Sequence, residues 1–196
     1  MSINLSKGQK ISLSKDSEGN NIALEKIVVG LGWDAIKKRG FFGGGQDIDC
    51  DASAILLTDG KLAKSDDIVY YGHLTHSSGA VQHCGDNLTG DGDGDDEQII
   101  VDLNAIPPQY DRIVFVVNIY RAEAKKQDFG LIENAFMRIV NDKTGAELAR
   151  FNLSEDYKGK TAMIFGEVYR KNGEWKMNAI GQGTNDGSLS ELAKRY

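Results

Sequence analysis

One acidic, glycine-rich stretch, Gly85–Glu97, constrains the fold more than any other part of this sequence; it reads GDNLTGDGDGDDE. It holds six carboxylates and no Lys or Arg, so its charges repel one another unless a cation or open water offsets them. Its four glycines permit tight turns and positive φ, which favours a loop over a regular element. The residues that follow, Gln98–Leu103, have the pattern of a β-strand. The stretch is therefore predicted to be a loop anchored between strands.

The composition of this loop predicts a calcium site. Ca²⁺ takes about 6–8 oxygen ligands in adaptable geometry, whereas Mg²⁺ demands a stricter octahedron. The absence of Cys and His from the run argues against zinc or copper. An EF-hand is excluded because Asp96 stands where that motif needs glycine and Asp102 stands where it needs glutamate. The alternative interpretation is an acidic loop that is simply hydrated.

A second acidic segment, Gln46–Leu57, places Asp47, Asp49 and Asp51 at alternate positions. On a strand these side chains would share one face, at a spacing of roughly 6.5 Å. Like charges on one strand face are costly unless they are paired or bind a metal, so we interpret the row as the second wall of the site. The two segments together carry nine carboxylates, which favours two ions over one. The alternative is an edge strand that uses charge against aggregation.

Composition limits the remaining possibilities. The 196 residues suffice for a single domain, predicted to span 1–196, with a real core. The net charge of −6 equals the charge of the acidic loop alone, and no basic face is evident, so nucleic acid is not an expected partner. No apolar run reaches the roughly 20 residues of a membrane span, and the start of the chain does not resemble a signal peptide. Two cysteines, Cys50 and Cys84, are expected to be free thiols in a reducing cytoplasm.

The hydrophobic pattern predicts an all-β protein. About ten short strands with regular turn signals indicate an antiparallel β-sandwich of two sheets with few short helices. Ile3–Leu13 is predicted to be a hairpin around Gly8, and Arg112–Tyr120, the most apolar segment, a central strand. Arg121–Gln127 is predicted to contain a helical turn, and Ser188–Arg195 a terminal helix.

These motifs together resemble the TerD family of tellurium-resistance and stress-response proteins over nearly the whole chain. The segments that carry the resemblance are Leu31–Asp34, Asp49–Ser53, Gly85–Glu97, Val114–Val117, Phe129–Gly130, Asn134–Phe136 and Ile180–Gly183. The chain is most similar to the general-stress members of spore-forming bacteria. The insertion at Ala35–Gly45 departs from the family pattern.

The resemblance implies a non-enzymatic β-sandwich that binds two Ca²⁺ ions and serves survival of tellurite, oxidative and chemical stress. The implied metal ligands are Asp49, Asp51, Asp86, Asn87, Asp93, Asp95, Asp96 and Glu97, of which Asp93 falls at a variable position of the motif. It also implies a cytoplasmic protein at the inner face of the membrane, acting with TerC-like membrane proteins or other stress-complex proteins.

Two alternatives of other classes stay open. Two metals among carboxylates could activate water in a phosphoester hydrolase, although the acidic segments contain no His or Lys as an evident acid or base. A bound Ca²⁺ with an open coordination position could instead recognise an anionic or sugar ligand.

Overall fold

Short segments of alternating apolar and polar residues form twelve β-strands and two short α-helices in the described part of the chain. The structure is a computed structural model, and it describes residues 2–15, 19–20, 22, 24–36, 48–85 and 94–196. The strands are β1 (Ile3–Leu5), β2 (Lys10–Ser12), β3 (Lys26–Ala35), β4 (Cys50–Leu57), β5 (Ile68–Val69), β6 (Val81–His83), β7 (Glu97–Asp102), β8 (Arg112–Ile119), β9 (Ile132–Asn141), β10 (Glu147–Asn152), β11 (Ala162–Lys171) and β12 (Glu174–Thr184). The helices are α1 (Ala122–Lys125) and α2 (Leu189–Ala193).

The strands pair into two six-stranded sheets that pack face to face. The first sheet has the order β1-β10-β9-β3-β7-β6 and the second has the order β2-β12-β11-β8-β4-β5. Every described pair of these strands is antiparallel except β1 with β10. The predicted β-sandwich is confirmed, and so is the central position of the apolar strand β8, which lies between β11 and β4.

The interior is built from the alternate residues of both sheets that point inward. Val29 and Leu31 of β3, with Ala52 of β4 and Phe115 of β8, are completely buried in this main core. Each strand of an antiparallel sandwich buries one face in this way because successive side chains point to opposite sides of the sheet.

The predicted hairpin over Ile3–Leu13 is wrong. β1 adds to the first sheet, parallel to β10, while β2 adds to the second sheet, antiparallel to β12. Gly8, with φ of 80°, turns the chain between the sheets and donates its N–H to the Ala179 carbonyl. Apolar alternation identified both strands but could not identify their partners, because each strand satisfies the open edge of a different sheet.

The predicted strand over Gln46–Leu57 starts later than expected. β4 begins at Cys50, so Asp49 precedes the strand, and Asp47 lies outside the described residues. The predicted insertion at Ala35–Gly45 lies outside them as well, apart from Ala35 and Ile36.

A second, smaller core covers the outer face of the second sheet. Ile55 of β4 and Val116 of β8 pack there against Leu192 and Ala193 of α2. The Ser188 hydroxyl caps this helix by accepting the Glu191 N–H, which confirms the predicted terminal helix. Nearer the end of the sheet, α2 no longer covers this face, and its residues become polar: Asp51 and Ser53 on β4, and Asn118 on β8.

Candidate metal site

The end of the acidic loop is tied to the open edge of β4. Glu97, the first residue of β7, is almost completely buried, and its Oε2 accepts the Ala52 N–H at 2.5 Å. The ring Nε2 of His83, on β6, lies 3.2 Å from the Ala52 carbonyl and 3.3 Å from Glu97 Oε2. Two side chains of the first sheet therefore satisfy both backbone groups of one residue in the second sheet.

The surroundings of His83 determine its tautomer. Its Nδ1 accepts the backbone N–H of Gly85 at 3.1 Å, so the ring proton must reside on Nε2. That proton points to the Ala52 carbonyl and to Glu97 Oε2. The His83 ring thus connects Gly85, the first residue of the acidic loop, to Glu97, the last.

Asp96 is fixed on the neighbouring strand β3. Its backbone N–H donates to the Leu31 carbonyl at 2.8 Å, and its Oδ2 accepts the Trp33 N–H at 2.6 Å. The absence of a side chain at Gly32 permits this close approach of the loop to β3, because a Cβ there would come within 2.8 Å of the Gly94 carbonyl oxygen. The Leu31–Asp34 motif of the sequence therefore serves as the docking strand for the end of the loop.

Four carboxylates act on the buried thiol of Cys50. Burial raises the pKa of this thiol well above its ordinary value, and the charges of Asp51, Glu97, Asp49 and Asp96 raise it further. Two of these acids come from the second acidic segment and two from the end of the loop. The contact that joins the two segments is the hydrogen bond of Glu97 with Ala52, whereas Asp51 lies on the outer face of the second sheet.

Asp49 and Asp51 take different positions beside Cys50. Asp49 Oδ2 lies 3.6 Å from Lys125 Nζ, while its Oδ1 is buried and has no hydrogen-bond partner among the described residues. Asp51 is 5% exposed, and its Oδ2 lies 3.4 Å from the amide nitrogen of Asn118. A buried carboxylate oxygen without a hydrogen bond is costly in the metal-free state, and a hard cation would satisfy it.

Asp95 lies apart from this group, on the outer face of the first sheet. Its two oxygens accept from Nε and Nη2 of Arg138 at 2.7 and 3.0 Å, and Gln98 donates to it at 2.9 Å. Hydrogen bonds with Asp95 raise the pKa of Arg138 above its already high value. Gly30 makes this arrangement possible, because a Cβ there would overlap the Asp95 carboxylate.

The structure thus places five of the eight predicted ligands, and the other three lie outside the described residues. Asp49 and Asp51 flank Cys50 in the sequence, Asp96 and Glu97 contact β3 and β4, and Asp95 pairs with Arg138. Asp86, Asn87 and Asp93 lie outside the described residues. In the described ranges no three His, Cys, Asp or Glu side chains already form a metal-binding cluster. The ligand set stays a prediction, and the orphaned Asp49 oxygen is the feature of the described residues that fits a cation.

Sequence reasoning missed the residues that position the acids. His83 directly precedes the acidic loop, and this proximity was the available signal. The sequence contains no comparable signal for Arg138 or for the backbone of Trp33. Arg138 reaches the loop through the pairing of β3 with β9, and Trp33 reaches it through its hydrogen bond with Asp96. The spacing of His73, His76, His83 and Cys84 matches no zinc pattern, and His76 contacts Asp67 instead, at 3.3 Å. Both cysteines are free thiols, as predicted.

Comparisons with known proteins agree with this fold and its motifs. The chain matches the TerD domain over residues 1–196. It is 48% identical over 202 residues to the stress response protein SCP2 of Bacillus subtilis, covering 100% of each chain. It is also 48% identical over 195 residues to the tellurium resistance protein TerD of Serratia marcescens, covering 99% of this chain and 97% of that one. The crystal structure of SAV2460, a protein of unknown function, superposes with a TM-score of 0.67 and 24% identity, covering 88% and 96% of the two chains.

The fold and these matches define a two-sheet β-sandwich with acidic segments at one end. The chain belongs to the TerD-domain family, whose named members here are tellurium-resistance and stress-response proteins. Among the described residues no helix is long and apolar enough to span a membrane.

Proposed function

We propose that this protein is a calcium-binding, non-catalytic member of the stress-response family, a sensor or scaffold that binds about two Ca²⁺ ions. The observation that carries the proposal is the hydrogen bond of Glu97 Oε2 with the Ala52 N–H, which brings the end of the loop, with Asp96 and Glu97, to the segment that holds Asp49 and Asp51. Both segments are rich in negative charge, and a divalent cation would offset their repulsion.

The chemistry of the donors favours Ca²⁺. Each of these four side chains offers hard carboxylate oxygens, and Asp49 Oδ1 has no hydrogen bond from the described residues. Asp86, Asn87 and Asp93 of the loop would supply further oxygens to the same ions. Asp95 contributes less to this proposal than the other acids, because Arg138 already engages both of its oxygens.

The hydrogen bonds of His83 support a non-catalytic role. A general base needs a nitrogen that can reach water or substrate. His83 is 2% exposed, its Nδ1 holds the Gly85 N–H, and its Nε2 faces the Ala52 carbonyl. It therefore acts as a structural connection between the loop and β4 rather than as an acid or base for a hydrolase.

Calorimetric titration of the metal-free protein tests the proposal. We expect Ca²⁺ to bind more tightly than Mg²⁺, with a stoichiometry near two, and Asp51→Asn to weaken the binding at least tenfold. Asp186→Asn is the matched control, because Asp186 pairs with Arg195 beside α2. Absence of Ca²⁺ binding, or equal affinity in Asp51→Asn and the wild type, would refute the proposal.

Partners and location follow from the family. We propose that the calcium-loaded protein acts in the cytoplasm with other proteins of a stress complex, including TerC-like membrane proteins. Co-purification of such a partner in Ca²⁺ but not in a chelator would support this part, and identical recovery in both buffers would contradict its calcium dependence.

A further inference from the structure

A cavity of about 440 Å³ lies on the outer face of the second sheet, where α2 no longer covers it. Its lining includes Asp51 and Ser53 of β4 and Asn118 of β8, three polar residues on the outer face of the sheet. Ile119, Leu189 and the aromatic residues described below complete the walls. A cavity of this size that combines apolar walls with a few polar groups has the form of a small-molecule site.

The polar lining of the cavity has unused hydrogen-bonding capacity. Ser53 is completely buried as a residue, and its hydroxyl has no hydrogen-bond partner among the described residues. Asn118 is 8% exposed, and its Oδ1 likewise lacks such a partner, although its amide nitrogen faces Asp51. Buried polar groups without partners are destabilising, so a ligand that satisfied these two would be bound more tightly for it.

The walls of the cavity are rich in tyrosine. Tyr70 and Tyr71 stand edge to face with centroids 5.4 Å apart, and Tyr120 lines the same cavity. Tyr71 and Tyr120 are 44% and 40% exposed, which is unusual for large aromatic side chains. Such rings offer apolar faces together with hydroxyl groups at their edges.

The charges of the lining balance. It contains one acidic residue, Asp51, and one basic residue, Arg121, so it has no net charge that would favour an anionic or a cationic ligand. A neutral hydroxyl group can donate to Asp51 and Asn118 Oδ1 and can accept from Ser53. The flat C–H faces of a sugar or cyclitol ring match the tyrosine walls.

We propose that this cavity binds a neutral polyhydroxylated small molecule of monosaccharide size, held by Ser53 and Asn118 and flanked by Tyr71 and Tyr120. The inference goes beyond the calcium site and does not require a bound ion, because neither Ser53 nor Asn118 is among the predicted metal ligands. Its failure would be visible in ligand binding, whereas failure of the calcium proposal would be visible in metal titration.

Saturation-transfer NMR on the full chain tests this inference with D-glucose, D-mannose and myo-inositol as probes, each with Ca²⁺ and with a chelator. We expect at least one of the three to receive saturation in both buffers and to bind with a millimolar dissociation constant. Glucose 6-phosphate and glucosamine serve as the anionic and cationic comparisons and should bind more weakly.

Two variants locate the binding. Ser53→Ala removes a buried hydroxyl without a described partner, so it should fold normally and weaken binding about fivefold, the equivalent of one neutral hydrogen bond. Ser190→Trp fills the cavity and should abolish binding, while Ser154→Trp, an exposed serine elsewhere, should not. Absence of transfer from all three probes, preferred binding of a charged comparison, or undiminished binding in Ser190→Trp would overturn the inference.

Discussion

Asp95 and the carboxylates around Cys50 show two ways in which this fold accommodates negative charge. On the outer face of the first sheet, Asp95 is held by Arg138 through two hydrogen bonds, so the chain supplies its own cation. At the end of the sandwich, the charges of Asp49, Asp51, Asp96 and Glu97 all raise the pKa of one thiol, and Asp49 lies 3.6 Å from Lys125. The first arrangement is complete without a metal, and we propose that the second binds one.

The contrast is sharpest over three consecutive residues. Asp95 points to the outer face of the first sheet, Asp96 holds the backbone of β3, and Glu97 turns into the space between the sheets. Three adjacent carboxylates therefore meet three different environments. The number of acids in a segment does not measure the number of ligands it offers, because neighbouring side chains in extended chain point in different directions.

Breaking the pair of Asp95 with Arg138 should give the largest effect. Arg138→Met leaves the Asp95 side chain, which is 1% exposed, without its cation, so we expect a loss of about 3 kcal/mol in the free energy of unfolding. Denaturant unfolding in Ca²⁺ and in a chelator should show the same loss, since the pair is independent of metal.

The matched control for this prediction is Arg195→Met, which breaks the more exposed pair with Asp186 and should cost under about 1 kcal/mol. A loss in Arg138→Met that is no larger than in this control would show that Asp95 does not depend on Arg138. A loss of stability in Arg138→Met that occurs only in Ca²⁺-containing buffer would indicate that Asp95 belongs to the metal site.

The second prediction concerns Asp51→Asn, whose effect on stability should change sign with calcium. At Ca²⁺ concentrations 100-fold above the dissociation constant, the wild type gains about 2.7 kcal/mol. With binding weakened tenfold or more, the variant should lose at least about 1.3 kcal/mol of that gain. In a chelator it should be as stable as the wild type or more stable, because one repelling charge has gone. Thermal unfolding in both buffers measures this, with Asp186→Asn as the control.

Destabilisation of Asp51→Asn by the same amount in both buffers would contradict this prediction. It would mean that Asp51, like Asp95, is stabilised by groups within the chain, and the difference between the two regions would disappear.

Much of the fold could be predicted because its signals are local. The apolar run of Arg112–Tyr120 required a buried central strand, and the glycine turns after β9 and β11 gave antiparallel neighbours. The pairing of β1 and β2 could not be predicted, since three-residue strands with a shared pattern fit either sheet edge. Local sequence specifies which residues form a strand, but only tertiary contacts choose its partner.

The candidate site was predictable only in part, for a related reason. The two acidic segments were expected to share a cation, and Glu97 does meet the second segment at Ala52, but the ligand set stays a prediction. The pairing of Asp95 with Arg138 depends on the register of β9 against β3, which places Arg138 opposite Gly30. The role of His83 depends on the open edge of β4, which is visible only when the second sheet is assembled.

The third and smallest effect concerns pH and the Cys50 thiol. Burial and the four neighbouring charges raise the pKa of this thiol in the folded protein, whereas an unfolded cysteine titrates near a pKa of about 8.5. Above that pH the unfolded chain releases a proton that the folded protein keeps, so the free energy of unfolding must fall as pH rises. The slope contributed by one thiol is at most about 1.4 kcal/mol per pH unit.

Denaturant unfolding between pH 8 and 9.5 should show this decline in the wild type and a much smaller one in Cys50→Ala. Cys84→Ala is the control; Cys84 is exposed, although burial of part of its side chain and the charge of Asp142 also raise the pKa of its thiol. Asp51→Asn should keep most of the slope, because burial is the larger cause of the raised pKa and Asp51 comes second. Arg138→Met should leave the slope unchanged, because Asp95 is not among the charges that act on Cys50. An equal slope in Cys50→Ala and the wild type would show that neither burial nor the carboxylates raise the pKa of this thiol.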